Sequence, residues 1–148
     1  MKSIEIIKNV FSDYKLLFNE NNNSDYEGFV FESLNRTYRS RLCKKTPKKV
    51  GYFVAIWEKD SNNKNTAFSS EDNVDAYIIN IIDENRKGYF LFPKDILISK
   101  KILKDKNQNG KMAFRVYPSW INELNDTAKK TKEWQNKYFI DLSNNWNV

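Results

Sequence analysis

Three of the five arginines in the sequence lie within six positions, at Arg36, Arg39 and Arg41, although lysine is four times as common as arginine in this chain. A guanidinium binds phosphate oxygens with two parallel hydrogen bonds, so clustered arginines favour a phosphate-binding surface. On a β-strand, Arg39 and Arg41 point to the same side, roughly 6.6 Å apart, which is close to the spacing of successive phosphates. The alternative is a solvated edge strand whose charges prevent aggregation.

These arginines belong to the first of two basic windows. Residues 33–57 contain seven basic residues and no acidic one, while the whole chain has a net charge of +6, so the rest of the chain has a net charge of -1. Residues 94–115 contain seven basic and two acidic residues. We expect the turn at 46–47 to bring the segment 36–49 beside the strand at 111–117, so that the two windows form one basic face.

A basic face of this kind predicts nucleic-acid binding, because Lys and Arg neutralise backbone phosphates. Aromatic side chains beside it are available to stack on bases. The residues predicted to bind nucleic acid are Arg36, Arg39, Arg41, Lys44, Lys45, Lys48, Lys49, Lys111, Arg115 and Trp120.

Several enzyme classes are excluded by residues that the sequence lacks. It contains no histidine and one cysteine, Cys43, which excludes Ser-His-Asp and Cys-His triads, Cys/His zinc sites and an intramolecular disulfide. We interpret Cys43 as a small packing residue. The four glycines are far apart and open no phosphate-binding loop, so no cofactor is predicted.

A divalent-metal nuclease is the enzymatic alternative. Such an enzyme needs carboxylates that converge at a strand end, with a lysine on the same strand face. The candidates are Glu32 and Asp75 with Lys45, while the Asp/Glu-x-Lys motif occurs only at 13–15, inside the first predicted helix. We therefore predict a non-enzymatic binding module, with the metal-dependent nuclease as the alternative and no metal site assigned.

The patterns place these residues in a single α+β domain over 1–148. Apolar residues at helical spacing predict a helix at each end, over 3–18 and 119–142. Alternating aromatic and β-branched runs predict strands at 38–43, 51–58, 74–82, 88–92 and 111–117, with a short helix at 93–98. We expect a mixed or antiparallel sheet of about five to six strands, flanked by the terminal helices.

The apolar segments are too short to cross a membrane. None approaches the ~20 uncharged residues that a bilayer requires. Glu5 and Lys8 interrupt the first apolar stretch, where a secretory signal would have an unbroken apolar core. We therefore expect a cytoplasmic protein without a membrane partner; its oligomeric state is left open.

Four ordered segments resemble the MepB family of small bacterial proteins: KTPKKVGYFV at 45–54, GYFLFPK at 88–94, GKMAFRVYPSW at 110–120 and TKEWQ at 131–135. The resemblance extends from about 32 to 139. Cys43 and Met112 depart from it, since a small alanine-like residue and a basic residue are usual there.

The family takes its name from a gene beside a multidrug efflux pump, and no biochemical activity is firmly attached to it. The resemblance implies a cytoplasmic bacterial protein, with nucleic-acid binding or a degenerate nuclease-like fold among the possibilities. It carries no catalytic residues over to this chain. An accessory role in drug resistance, with a small ligand or a protein partner, is a third hypothesis.

Overall fold

The computed structural model describes residues 1–144, which form three α-helices and eleven β-strands. The helices are α1 (Ser3–Val10), α2 (Lys94–Ser99) and α3 (Asp126–Gln135). The strands are β1 (Lys15–Asn19), β2 (Phe29–Ser33), β3 (Arg36–Leu42), β4 (Lys44–Lys45), β5 (Tyr52–Ala55), β6 (Trp57–Lys59), β7 (Asn65–Ala67), β8 (Ala76–Asp83), β9 (Arg86–Pro93), β10 (Ala113–Val116) and β11 (Phe139–Asp141). None of these helices has the length and apolar character needed to span a membrane.

The main sheet has six strands in the order β1-β2-β3-β8-β9-β11. It is mixed, because β3 and β8 run parallel while the other neighbours are antiparallel. We expected a mixed or antiparallel sheet of about five to six strands, and the sheet present is mixed and has six strands. The expectation of one sheet is corrected, because the strands β10, β5 and β4 form a separate three-stranded sheet, which we call the small sheet. The strands β6 and β7 pair with each other.

The two central strands, β8 and β9, are buried on both faces. Alternate residues of β8, beginning with Tyr77 and Ile79, face a core that includes Tyr52 and Val54 of the small sheet. The intervening residues, such as Ile78, pack with the apolar side of α1 in a second core. Strands covered on both sides read as continuous apolar runs, which explains the sequence YIINII within β8.

Both terminal helices are shorter than the apolar spacing predicts. The segment Lys15–Asn19 pairs with β2 as the edge strand of the main sheet instead of extending α1, and its residues are exposed. At the other end, Asn125 caps α3 by accepting a hydrogen bond from Ala128 N at 2.9 Å. Trp120 therefore lies in a loop before the helix, and Phe139–Asp141 adds a strand to β9.

The arginines of β3 point into the protein. Arg39 and Arg41 are only 6% and 2% exposed, and both pair with Glu20, at 2.9 Å and 2.6 Å. Arg39 also pairs with Asp72 at 3.0 Å, and its guanidinium lies 4.0 Å from the centre of the Phe68 ring. The prediction that Arg39 and Arg41 face solvent is corrected, because Glu20, Phe68 and Asp72, from segments distant along the chain, pack against this side of β3.

Glu20 is the common partner of the two guanidiniums. Burial alone raises the pKa of its carboxyl, but the charges and hydrogen bonds of Arg41 and Arg39 outweigh burial and hold that pKa below its usual range. Gly28 makes room for this pair, since a Cβ there would lie 2.6 Å from Arg41 Cζ. The carboxylate therefore neutralises charges that the fold has removed from water.

We predict that Glu20→Gln lowers the free energy of unfolding by about 3 kcal/mol, because it leaves two buried guanidiniums without their shared anion. Urea denaturation checks this. Glu32→Gln, a change of the same type on a half-exposed residue of the adjacent strand β2, is the control and should cost less than about 0.5 kcal/mol. Equal losses in the two variants would contradict the role of Glu20.

The same pair predicts a pH dependence. Because the folded-state pKa of Glu20 lies below its unfolded value of about 4.5, the unfolded chain binds this proton first as pH falls. The stability difference between wild type and Glu20→Gln should be complete above pH ~5.5 and should shrink as pH falls below 4.5 through the folded-state pKa. Urea titrations at a series of pH values measure it; a constant difference would contradict the prediction.

Candidate nucleic-acid interface

Three adjoining cavities form a groove along the small sheet, with volumes of about 360, 520 and 280 Å³. The first and second share Lys49 and Val50, and the second and third share Arg115, Tyr117 and Thr131. We call this run of cavities the basic groove. The charged residues that line it are the cations Lys45, Lys49, Arg86, Lys100, Lys111 and Arg115, and the acids Asp83, Glu84 and Glu123.

The excess of cations is not cancelled by nearby ion pairs. Among residues 1–144, Lys45 is the lining cation that pairs with a carboxylate, at 3.7 Å from Asp83, and Lys45 itself is largely exposed. Exposed pairs of this kind contribute little and are exchanged readily. The charge of the groove therefore remains available to an anionic ligand.

Arg115, on β10, fixes the wall of the groove. Its Nη2 donates to Thr46 Oγ1 at 2.7 Å and to three backbone carbonyls of the 49–51 segment at 3.1–3.2 Å. Gly51 completes this turn with a φ of 89°, and a Cβ there would lie 2.6 Å from the Tyr117 ring. The expected proximity of the turn at 46–47 to the strand at 111–117 is present, and Arg115 creates it.

Gln135 joins the last helix to the same sheet. This side chain is fully buried; its Oε1 accepts from Tyr117 N at 2.9 Å, and its Nε2 donates to Arg115 O at 3.0 Å. The amide thus satisfies backbone groups at the edge of β10 where no further strand of residues 1–144 pairs. As a result, α3 forms the second wall of the groove.

One end of the groove is aromatic. Trp120 Nε1 donates to Tyr52 Oη at 3.1 Å, and that hydroxyl donates to Asp83 Oδ2 at 2.6 Å. Burial and the bond to Asp83 raise the pKa of Tyr52, so its hydroxyl remains a donor at neutral pH. The guanidinium of Arg86 lies 5.3 Å from the Trp120 ring centre. Hydrogen bonds and stacking therefore hold this corner in one arrangement.

The structure brings half of the predicted binding residues to the groove: Lys45, Lys49, Lys111, Arg115 and Trp120 line it. Lys48 is exposed on the adjacent loop.

Four predicted residues lie elsewhere. Lys44 pairs with Asp25 at 3.6 Å, because neighbours along a strand point to opposite sides. Arg36 is exposed at the start of β3, at the opposite end of the main sheet. Arg39 and Arg41 are buried, so the merged basic face that includes them is corrected to a groove without them.

The three nuclease candidates are not assembled into one site. Asp75 precedes β8 and accepts from Thr37 N at 2.8 Å, whereas Lys45 lies beside Asp83 at the far end of that strand, about 26 Å away at ~3.3 Å per residue. Glu32 is aligned with Asp75 but lies two strands away, about 10 Å between backbones. Within residues 1–144, no group of three carboxylates or other ligands is placed to hold a metal ion.

Sequence reasoning missed Arg86 and Lys100. Arg86 begins β9 and lies far along the sequence from the other four arginines. Its residue type was nevertheless a usable signal, because the chain has only five arginines. Lys100 belongs to the second basic window, but the sequence did not distinguish it from the other lysines there. Its Nζ lies 5.3 Å from the centre of the Trp134 ring. Cys43 is buried, and burial raises the pKa of its thiol, which fits a packing role.

The sequence profile described as MepB-like matches residues 20–141, most of the chain. The chain belongs to the MepB-like family. A solved crystal structure of MepB is 48% identical to it over 99% of both chains, with a TM-score of 0.86. Comparison with curated proteins gives no match.

The four MepB-like segments meet around the basic groove. The first forms β4, the turn and β5; the third forms β10 and the loop to Trp120. The fourth contains Thr131 and Gln135, which line the groove from α3. The second supplies Phe92, whose ring packs against that of Trp134 with centres 5.5 Å apart. Three of the four segments that resemble the family therefore contribute residues to the groove, and the second packs against α3.

We predict that Arg115→Gln loosens the 46–51 turn, because the shorter, neutral amide cannot span its four acceptors. Limited trypsin digestion should then cut after Lys48 or Lys49 several-fold faster than in wild type, as mass spectrometry of early fragments reports. Arg36→Gln removes an exposed arginine at the other end of the sheet and is the control. Unchanged cleavage in Arg115→Gln would show that the turn is held by other contacts.

Proposed function

We propose that this MepB-like protein is a non-enzymatic nucleic-acid-binding module that holds the phosphate backbone in the basic groove. The observation that carries the proposal is the convergence of cations from five separate parts of the chain on one groove. They come from β4, the turn at 46–51, the start of β9, the segment after α2, and β10 with the residues before it. A chain of phosphates requires several cations along one path.

The hydrogen bonds support this proposal because they organise the groove before any ligand arrives. The Nη2 group of Arg115 donates to backbone carbonyls of the 46–51 turn, so the main role of this side chain is to position Lys49 and not to bind phosphate. Gln135 fixes the opposite wall. Lysines that project from a rigid frame lose less conformational entropy on binding than lysines on a mobile loop. The available phosphate contacts are Lys45, Lys48, Lys49, Arg86, Lys100 and Lys111.

The salt dependence of binding tests the proposal. If about five cations contact phosphates, the slope of log affinity against log salt should be near -4.5 on duplex, at ~0.9 per contact, and near -3.5 on single strands, at ~0.7 per contact. We predict that Lys49→Gln with Lys111→Gln reduces the slope by about two contacts and weakens binding to all sequences alike. Fluorescence anisotropy of labelled oligonucleotides measures both.

The matched control is Lys8→Gln with Lys64→Gln, which removes the same charge from exposed lysines that line none of the groove cavities. Its slope should equal that of wild type. An equal loss in the control would mean that net charge alone attracts the nucleic acid. No detectable binding at low salt would refute the proposed function, and magnesium-dependent cleavage would favour the nuclease hypothesis.

A further inference from the structure

We infer that the aromatic end of the groove is a pocket for one unstacked nucleobase, so that single-stranded nucleic acid is the preferred ligand. This inference rests on the proposed function and adds the class of substrate. The pocket is the cavity of about 360 Å³, near the lower end of the ~300–1,000 Å³ typical of small-molecule sites. That size suits one nucleotide, whereas a duplex has to lie across the groove.

The indole of Trp120 is held in place by several independent contacts. Its Nε1–H is bonded to the Tyr52 hydroxyl at 3.1 Å, and the Phe139 ring meets it edge to face with centres 5.4 Å apart. Lys132 Nζ donates to Ile121 O at 2.6 Å and to Ser119 O at 3.3 Å, which fixes the backbone on both sides of the tryptophan. A stacking platform fixed in advance costs little ordering entropy on binding.

Arg86 shows that this ring accepts a flat, polar group from the solvent side. Its guanidinium lies 5.3 Å from the Trp120 ring centre, while the rest of Arg86 is exposed at the turn between β8 and β9. A nucleobase is also flat and stacks on an indole, and the guanidinium plane stacks on a base in turn. Because 5.3 Å leaves no room for a ring between the two groups, a base that stacks on this face of Trp120 displaces the Arg86 guanidinium, which is then free to stack on the outer face of the base.

The polar groups of the pocket match a whole nucleotide better than phosphate alone. Lys45 and Lys49 supply the cations for the backbone on one side. Asp83 and Glu84 would repel phosphates, but a carboxylate accepts hydrogen bonds from the amino group of a base such as cytosine. The rest of the groove has one carboxylate, Glu123, against four cations. Carboxylates and cations therefore occur together mainly at the end of the groove that contains Trp120.

The ring of Trp120 can stack only on a base that has a free face. A paired base inside a duplex has no free face, because both of its faces are stacked on neighbouring bases. Single strands and loops have bases that can be splayed out onto aromatic side chains. The pocket thus distinguishes a single strand from a duplex, whereas the lysines of the groove bind both.

The experiment compares anisotropy of a labelled single-stranded DNA, the same sequence as RNA, and a blunt duplex. We expect the single strands to bind wild type more tightly than the duplex does at equal salt. Trp120→Leu should weaken single-strand binding about tenfold, the size of one base–aromatic stack, and leave duplex affinity and both salt slopes unchanged. Trp120→Phe should restore part of the loss, because it restores an aromatic face.

Two further variants separate stacking from folding. Arg86→Gln keeps the tryptophan and should weaken single-strand binding more than duplex binding. Trp57→Leu changes a half-buried tryptophan on β6, outside the groove, and is the matched control, with thermal unfolding run on every variant. In wild type, single strands should also quench tryptophan fluorescence more than in Trp120→Phe.

Each failure has a distinct meaning. If single strands bind no more tightly than duplex, or if Trp120→Leu weakens both equally, the base pocket is refuted while the proposed function stands. If Trp120→Phe loses as much single-strand affinity as Trp120→Leu and Arg86→Gln binds as wild type does, stacking is refuted as well. If neither ligand binds at low salt, the proposed function falls and the base pocket falls with it.

Discussion

The carboxylate of Glu20, shared between the guanidiniums of Arg39 and Arg41, is the interaction on which one side of the main sheet depends. It joins the segment after β1 to β3, and Arg39 extends the network to Asp72, just before β8. Breaking such a group leaves an unpaired buried charge, which is far more costly than losing an exposed ion pair. The two arginines are therefore structural, and they are not available to the proposed binding surface.

The basic groove depends on two polar side chains that offer little to a ligand. Arg115 holds the turn at 46–51 against β10, and Gln135 holds α3 against the free edge of the same strand. Lys49 projects from the turn that Arg115 fixes, and Lys111 lies just before β10, the strand that both residues hold. A single small sheet thus serves as the frame for both walls, which links the core beneath it, with Tyr52 and Val54, to the shape of the surface.

The groove has two chemically different regions. Along most of its length, Lys49, Lys100 and Lys111 offer point charges without a carboxylate partner among residues 1–144. At its end, Trp120 and Arg86 offer flat surfaces beside carboxylates. Phosphate contacts give affinity without sequence information, while an aromatic platform distinguishes stacked from unstacked bases. Affinity and the choice of strand would therefore be set by different residues.

The amino-acid sequence by itself determined that the chain contains a mixed or antiparallel sheet of about five to six strands and resembles the MepB family, because these follow from local periodicity and motifs. It also pointed to Lys45, Lys49 and Lys111, which line the groove. The alternation along β3 also predicted that Arg39 and Arg41 share one side. It did not tell which side faces water, since that depends on which distant segments pack against β3. Only the tertiary structure decided this, because segments distant in sequence cover that face and bury the two arginines with Glu20. The tertiary structure also brings cations of separate segments, Arg86 included, together at the groove.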